Sequence, residues 1–291
     1  MHKRRLLVFL LIMTLLFSII QTLSTATISI AKASLTARIQ AQLKGKVGTF
    51  SIGIENLKTG EKLYLNNGRV RAASVIKVFV MMSAFRKVEE GGLKLNKIIQ
   101  LQNRTIEKVG GTGILQGKPT GYKLSVYNVI EYMIKYSDNR AANIMVDMLG
   151  FKYINDSIKK FGYSSDTQLG YYFCLTPVPK GKSNSLTTKD LNLLFKRLYN
   201  KTCISPAYDN QMLQIMKKTI NKTKICALLP ANTVVAHKTG SITNIESDAG
   251  IVFSKGGDFA VSVLGQAPNG GNTIKVISNV AREAYNYFNG K

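Results

Sequence analysis

The chain is poor in the residues on which much enzyme chemistry depends: its 291 residues include two histidines and three cysteines, and 16 Asp+Glu face 40 Lys+Arg. His2 lies in an apolar first segment and His237 directly precedes a polar motif, so a serine–histidine–aspartate triad has no free histidine to draw on. The same shortage leaves zinc without ligands, because Cys174, Cys203 and Cys226 are too far apart in the chain for a metal knuckle. No metal and no cofactor is expected. Three cysteines without framework spacing exclude a disulfide scaffold, and at most one pair can form. The scarcity of acids leaves a formal charge of +24, which favours anionic partners such as wall polymers or a membrane surface. Nucleic acid is not expected, since the basic residues are dispersed and no arginine-rich arm or nucleic-acid motif is present.

What is there begins with a charged start (Lys3, Arg4, Arg5), an apolar run from Leu6 to Ile20 and a small-residue ending at Ala31-Lys32-Ala33. Residues 1–33 therefore read as a signal peptide or as an N-terminal membrane anchor. Fifteen strongly apolar residues are short for a span, while the milder continuation to Ile30 keeps the anchor open. Either way the protein is expected to be exported, extracellular or held on the outer face of the cytoplasmic membrane.

Residues 34–291 read as one α+β domain. Ser34 caps a short helix with Leu35, Ile39 and Leu43 at helical spacing, and strands Thr49–Asn56 and Glu61–Asn66 flank the turn Lys58-Thr59-Gly60. From Ser74 to about Lys224 the period is helical, with Ser125 capping one helix that ends near Tyr136 and Gly150 closing the next, Ala141–Leu149. Thr233–Lys238, Asp248–Phe253 and Phe259–Leu264 then form an antiparallel meander before a final helix. Strands at both chain ends imply one sheet, with a sheet half of 34–70 and 225–291, a helical half of 71–224, and a groove between them as the place for a site.

Three short polar motifs punctuate this layout. Ser74 and Lys77 stand three apart at the start of an apolar run, so they share one face, and burial beside Val75, Ile76 and Val78 lowers the lysine pKa towards that of a base. Ser137-Asp138-Asn139 fills the break between two helices, and Lys238-Thr239-Gly240 ends a strand. Asp138 reads as a helix cap and His237 as structural, having no carboxylate partner visible in the sequence.

Together these residues resemble the penicillin-recognising serine hydrolases, and the class A β-lactamases in particular. The resemblance extends to Gly110-Gly111-Thr112-Gly113-Ile114-Leu115-Gln116, Ala141-Ala142-Asn143, Leu229-Pro230-Ala231 and Ser241. It implies a five-stranded antiparallel sheet beside an all-helical subdomain, and a monomer acting on a small-molecule β-lactam or a D-Ala-D-Ala peptide. Ser74 would be the acylated nucleophile, Lys77 its base and Ser137 the proton shuttle. Backbone N–H groups of Ser74 and Ser241 would form the oxyanion hole. Lys238 and Thr239 would bind the substrate carboxylate, Lys238 would also depress the Lys77 pKa, Gly240 would let its strand approach closely, and Asn139 would receive the acyl-amide. Lys224 falls where many relatives place an arginine that helps hold the carboxylate.

One element of the family pattern is missing. Class A β-lactamases clear the acyl-enzyme with a loop glutamate, yet no glutamate occurs between Glu131 and Glu246, and the loop Leu169–Gly181 has no carboxylate; Asp166 and Asp190 flank it. A positioned general base is worth about 10²- to 10⁴-fold. Deacylation is therefore expected to be slow, and three readings follow: a β-lactamase with slow turnover, a D,D-peptidase acting on cell-wall stems, or a non-hydrolysing penicillin-binding sensor.

Overall fold

A computed structural model describes residues 35–104, 110–174, 176–268 and 271–291. The expected leader, residues 1–33, and the Ser34 cap lie outside the described residues. No helix among those described is long and apolar enough to cross a membrane. Helix α1 (35–43) falls in one unit of the chain, and Gly45–Lys291 form a second, compact one.

The second unit is built on a five-stranded antiparallel sheet in the order β2-β1-β9-β8-β7, where β1 is Thr49–Asn56, β2 Lys62–Leu65, β7 Val234–Ile242, β8 Ile245–Phe253 and β9 Phe259–Gln266. First and last strands thus meet in the middle, Ile52 opposite Val263 and Ile54 opposite Val261. Such positions are buried on both faces, so β1 is buried from Phe50 to Asn56 instead of alternating with polar residues. One face is covered by α6 (Thr188–Asn200), where the Ser262 hydroxyl donates to Asn192 Oδ1 at 2.7 Å. The other is covered by α8 (Gly271–Phe288), whose Thr273 crowds the bare Cα of Gly265.

The helical half contains α2 (Lys77–Glu89), α3 (Val126–Lys135), α4 (Asn139–Leu149), α5 (Phe151–Lys160), α6 and α7 (Pro206–Lys217). Helix α2 is its axis: every residue from Lys77 to Phe85 is buried. The half is not wholly helical as expected, because short strands β3 (Val70–Arg71) and β6 (Ser185–Leu186) pair, as do β4 (Ile98–Gln100) and β5 (Lys123–Ser125). Two or three residues are too few for a period of two to show in sequence.

Caps fix the corner between α3 and α4. The Ser125 hydroxyl accepts from Asn128 N at 3.2 Å, Tyr136 ends α3, and Gly150 ends α4 at a φ of 80°. Asp138 is the N-cap of α4 and does more than cap: its carboxylate accepts from Ala141 N at 2.9 Å, Ile114 N at 2.7 Å and Leu115 N at 2.8 Å. It therefore joins the segment around Gly110–Gln116 to α4. Gly113, at a φ of 137°, passes so close that an added Cβ would stand 2.4 Å from the Asp138 carboxyl. Hydrogen bonds to a buried charged acceptor are worth about 1.5–3 kcal/mol each, less when their loss is shared, so Asp138→Ala is expected to lower the unfolding free energy by about 3 kcal/mol or more. Urea unfolding measures it, and a loss below about 1 kcal/mol would show that this carboxylate is not what holds the corner.

Candidate active site

Ser74 sits on a 3₁₀ turn, Ala73–Ile76, that feeds directly into α2 at Lys77. The sequence pointed to the start of an α-helix; the structure has a tighter turn there, and the Lys77 amine that follows it is engaged by Ser137 and Asn139. The turn is entered through Ala73, held at a φ of 44°, a left-handed conformation that costs a residue with a Cβ about 1–3 kcal/mol and persists only where the surroundings enforce it. Ser74 is half-buried and lines the cleft, and among the described residues its hydroxyl has no hydrogen-bond partner.

Lys77 is fully buried. Its Nζ donates to the Ser137 carbonyl at 2.7 Å and to Asn139 Oδ1 at 2.8 Å, and lies 3.4 Å from Ser137 Oγ. From the sheet side, Lys238 Nζ reaches the same Ser137 Oγ at 2.9 Å and the Thr239 carbonyl at 2.6 Å. One hydroxyl therefore stands between two buried amines. Burial pushes the Lys77 ammonium down to about 7, opposed by the charges of Asp138 and Cys174. Burial also holds Lys238 well below its ordinary range, reinforced by the like charge of Lys77. Desolvation is the larger cause at both amines, and the repulsion between the two like charges acts on each of them.

The Lys238-Thr239-Gly240 motif lies inside β7 and not at its end, because Ser241 and Ile242 go on pairing with Glu246 and Ile245 of β8. Gly240 eases the approach there: an added Cβ would lie 3.0 Å from Ala73 Cβ and 3.1 Å from Ser74 N, so a side chain would press β7 away from the Ser74 turn by a few tenths of an ångström. Lys224, also buried, braces this edge. Its Nζ contacts the Gly240 carbonyl at 2.7 Å, Ser241 Oγ at 3.0 Å and Glu246 Oε2 at 2.7 Å. An ammonium so surrounded shapes the strand edge and is not a free cation for a substrate. Asn139, 6% exposed, is also engaged, its Nδ2 donating to the Gly110 carbonyl at 3.1 Å and Cys174 Sγ at 3.0 Å.

The carboxylate-free loop supplies an aromatic ring where sequence reasoning saw only an absence. Asn143 of α4 grips the backbone of Phe173 from both sides, accepting from its N at 2.8 Å and donating to its O at 3.1 Å, and the Phe173 ring centroid lies 4.8 Å from Lys77 Nζ. The motif around Asn143 was readable, but nothing in the chain tells which loop residue it clamps. Asp190, the nearest following acid, is committed elsewhere, accepting from the hydroxyls of Ser164 and Thr167. The cleft, about 180 Å³, is lined by Ser74, Asn139, Tyr171, Phe173, Cys174 and Ser241 among others. A larger cavity of about 430 Å³ beside Arg69 and Gln266 contains no residue of the three motifs, so volume alone does not locate the chemistry. His237 faces away from the cleft, and it does have a carboxylate partner, Asp248 of β8, at 2.9 Å.

A family model described as the beta-lactamase enzyme family matches residues 34–288. Beta-lactamase VEB-1 of Pseudomonas aeruginosa is 24% identical over 281 residues, covering 88% of this chain and 90% of that protein. The crystal structure of a β-lactamase from Sphaerobacter thermophilus superposes with a TM-score of 0.81 at 26% identity, covering 89% of this chain and 98% of that one. A mutant of PBP-A, solved as an acyl-enzyme complex with penicillin G, gives 0.79 at 25% identity, covering 89% and 97%.

Two lysines should titrate far from the ordinary value of about 10.4. In a carbon-NMR titration of the lysine Cε groups, one signal is expected to have a midpoint near 7 and to vanish in Lys77→Met. In that variant the Lys238 midpoint should rise, because the neighbouring like charge that lowers it is gone. Lysines that all titrate near their ordinary value would refute the desolvated pair.

Proposed function

Because the chain belongs to the beta-lactamase enzyme family, we propose that it is an active-site serine hydrolase that opens the β-lactam amide through an acyl-enzyme on Ser74 and releases that acyl group slowly. The observation that carries this reading is the Ser137 hydroxyl placed 2.9 Å from Lys238 Nζ and 3.4 Å from Lys77 Nζ, in a cleft that Ser74 and Ser241 both line. A lysine whose pKa lies near 7 is substantially neutral at physiological pH, so Lys77 accepts the Ser74 proton as the hydroxyl attacks the amide carbonyl. The backbone N–H groups of Ser74 and Ser241 receive the oxyanion, which Gly240 permits by letting the two segments meet. Ser137 then passes a proton to the leaving nitrogen. A carboxylate on the substrate draws Lys238 back to its charged form and is held by it and by Thr239.

Slow release follows from what covers the base. With Phe173 over Lys77 and no acid in its loop, the acyl-enzyme lacks a carboxylate to activate water on that side. The same feature favours, as a second reading, a binder that stops at the acyl-enzyme, and the cleft chemistry also suits acyl-D-Ala-D-Ala. The leader-like start and the +24 charge support a place outside the cytoplasm near anionic wall polymers or the membrane surface.

Mixed with a chromogenic cephalosporin, the protein is expected to give a stoichiometric burst, a slow steady phase and a lasting adduct on Ser74 by intact mass; Ser74→Ala should give none of these. Unchanged turnover in Ser74→Ala would remove the nucleophile assignment, and D-alanine release from a stem peptide would move the reading to a peptidase. Phe173→Glu sets a carboxylate beside Lys77 and should speed the slow phase by about 10²-fold or more. Wild-type colour release without a burst, unaffected by Phe173→Glu, would show that deacylation is not the slow step.

A further inference from the structure

The face of β7 turned from the cleft carries a second reactive arrangement that the hydrolase chemistry does not use. His237 is fully buried, its Nδ1 lying 2.9 Å from Asp248 Oδ1 and 3.0 Å from Oδ2, while its Nε2 faces Cys226 Sγ at 3.5 Å. Asp248 is fixed in turn, its Oδ2 accepting from Ile225 N at 3.1 Å. Cys226 lies on the 3₁₀ turn Ile225–Leu228 and is only partly buried, whereas the His237 imidazole beside it is fully buried. A carboxylate that engages one imidazole nitrogen orients the ring and keeps it charged, so that the other nitrogen can donate to a neighbouring thiolate.

We propose that Cys226 is an activated thiol that takes low-molecular-weight disulfides, its thiolate paired with the imidazolium of His237, which Asp248 orients and keeps charged. The Cys226 proton is lost to water, and the thiolate attacks one sulfur of the disulfide. A protein–reagent S–S bond forms, the reagent's own S–S bond breaks, and its other half leaves as a thiolate that takes a proton from water. No further oxidant is needed.

The charges around the pair act in one direction. Burial alone would drive the His237 imidazolium down, but the charge and hydrogen bond of Asp248, with the contact to Cys226, outweigh it and raise it to about 9. Lys222, on the exposed segment before the turn, brings its Nζ within 3.4 Å of the same Nε2. Lys224 opens the turn but spends its charge on Glu246, and Arg282 of α8 donates to the Leu228 carbonyl at the far end. Cys203 sits in a different environment: buried, it has its thiol pushed up to about 12.

The test uses the full chain carrying Cys174→Ser and Cys203→Ala, so that Cys226 is the one thiol, with dithiodipyridine as the probe and mass spectrometry to place the adduct. An ordinary thiol of pKa about 8.5 reacts about fiftyfold more slowly at about pH 6.5 than at about pH 8.5, following its thiolate fraction. Cys226 is expected to slow by less than about threefold over that range, and His237→Asn should restore the steep dependence. A fiftyfold fall with His237 in place would overturn the proposal, as would a flat profile surviving in a folded His237→Asn. Should that variant fail to fold, the profile of the chain with His237 intact still decides.

Discussion

Two amines on opposite halves of the domain are buried around one hydroxyl, and the site depends on that crowding. Lys77 belongs to the axis of the helical half and Lys238 to an outer strand of the sheet, and both reach Ser137. Removing an ammonium from water costs several kcal/mol unless the charge is neutralised, and like charges so close add to the cost. The protein does not relieve this with a contacting carboxylate, since Asp138 spends its oxygens on backbone N–H groups. Burial lowers the proton affinity of both amines instead, and at Lys77 brings the pKa down to about 7. What would be a defect in a purely structural core becomes a supply of neutral amine at Lys77.

Holding such a site demands rigidity from its surroundings. Left-handed backbone occurs at Ala73, Ser137 and Cys174, one residue on each of three segments that meet at the cleft. None of the three is glycine, so each conformation is imposed by what packs around it. The Lys224–Glu246 pair stiffens the edge of β7, and the clamp of Asn143 on Phe173 fixes the loop over Lys77. The rim is thus locked from the sheet, from α4 and from the loop at once.

Much of this was legible in the chain because it is written in local signals. Caps at Ser125 and Asp138, the stop at Gly150 and the strand patterns at both ends fall where the residues placed them, and so does the five-stranded sheet they imply. What escaped is whatever depends on pairing between distant segments. The His237–Asp248 contact exists because β7 and β8 lie side by side with Thr239 opposite Asp248, a register no single strand declares. The continuation of β7 past Gly240 was hidden because a threonine–glycine pair reads as a terminus, whereas here the glycine answers to the Ser74 turn packed on it. The position of Phe173 over the base follows from a side-chain clamp, and the missing glutamate gave no hint of what would fill its place.

The order of the strands carries a cost in time. Strand β1 is made long before the central strand β9 that pairs with it along one edge; until then only the short β2 can pair with it. Closing so long a loop before any reward from the sheet makes folding slow and leaves an apolar edge open during growth. A newborn chain of this topology therefore stays pliable until β9 has been made, which exposes it to aggregation.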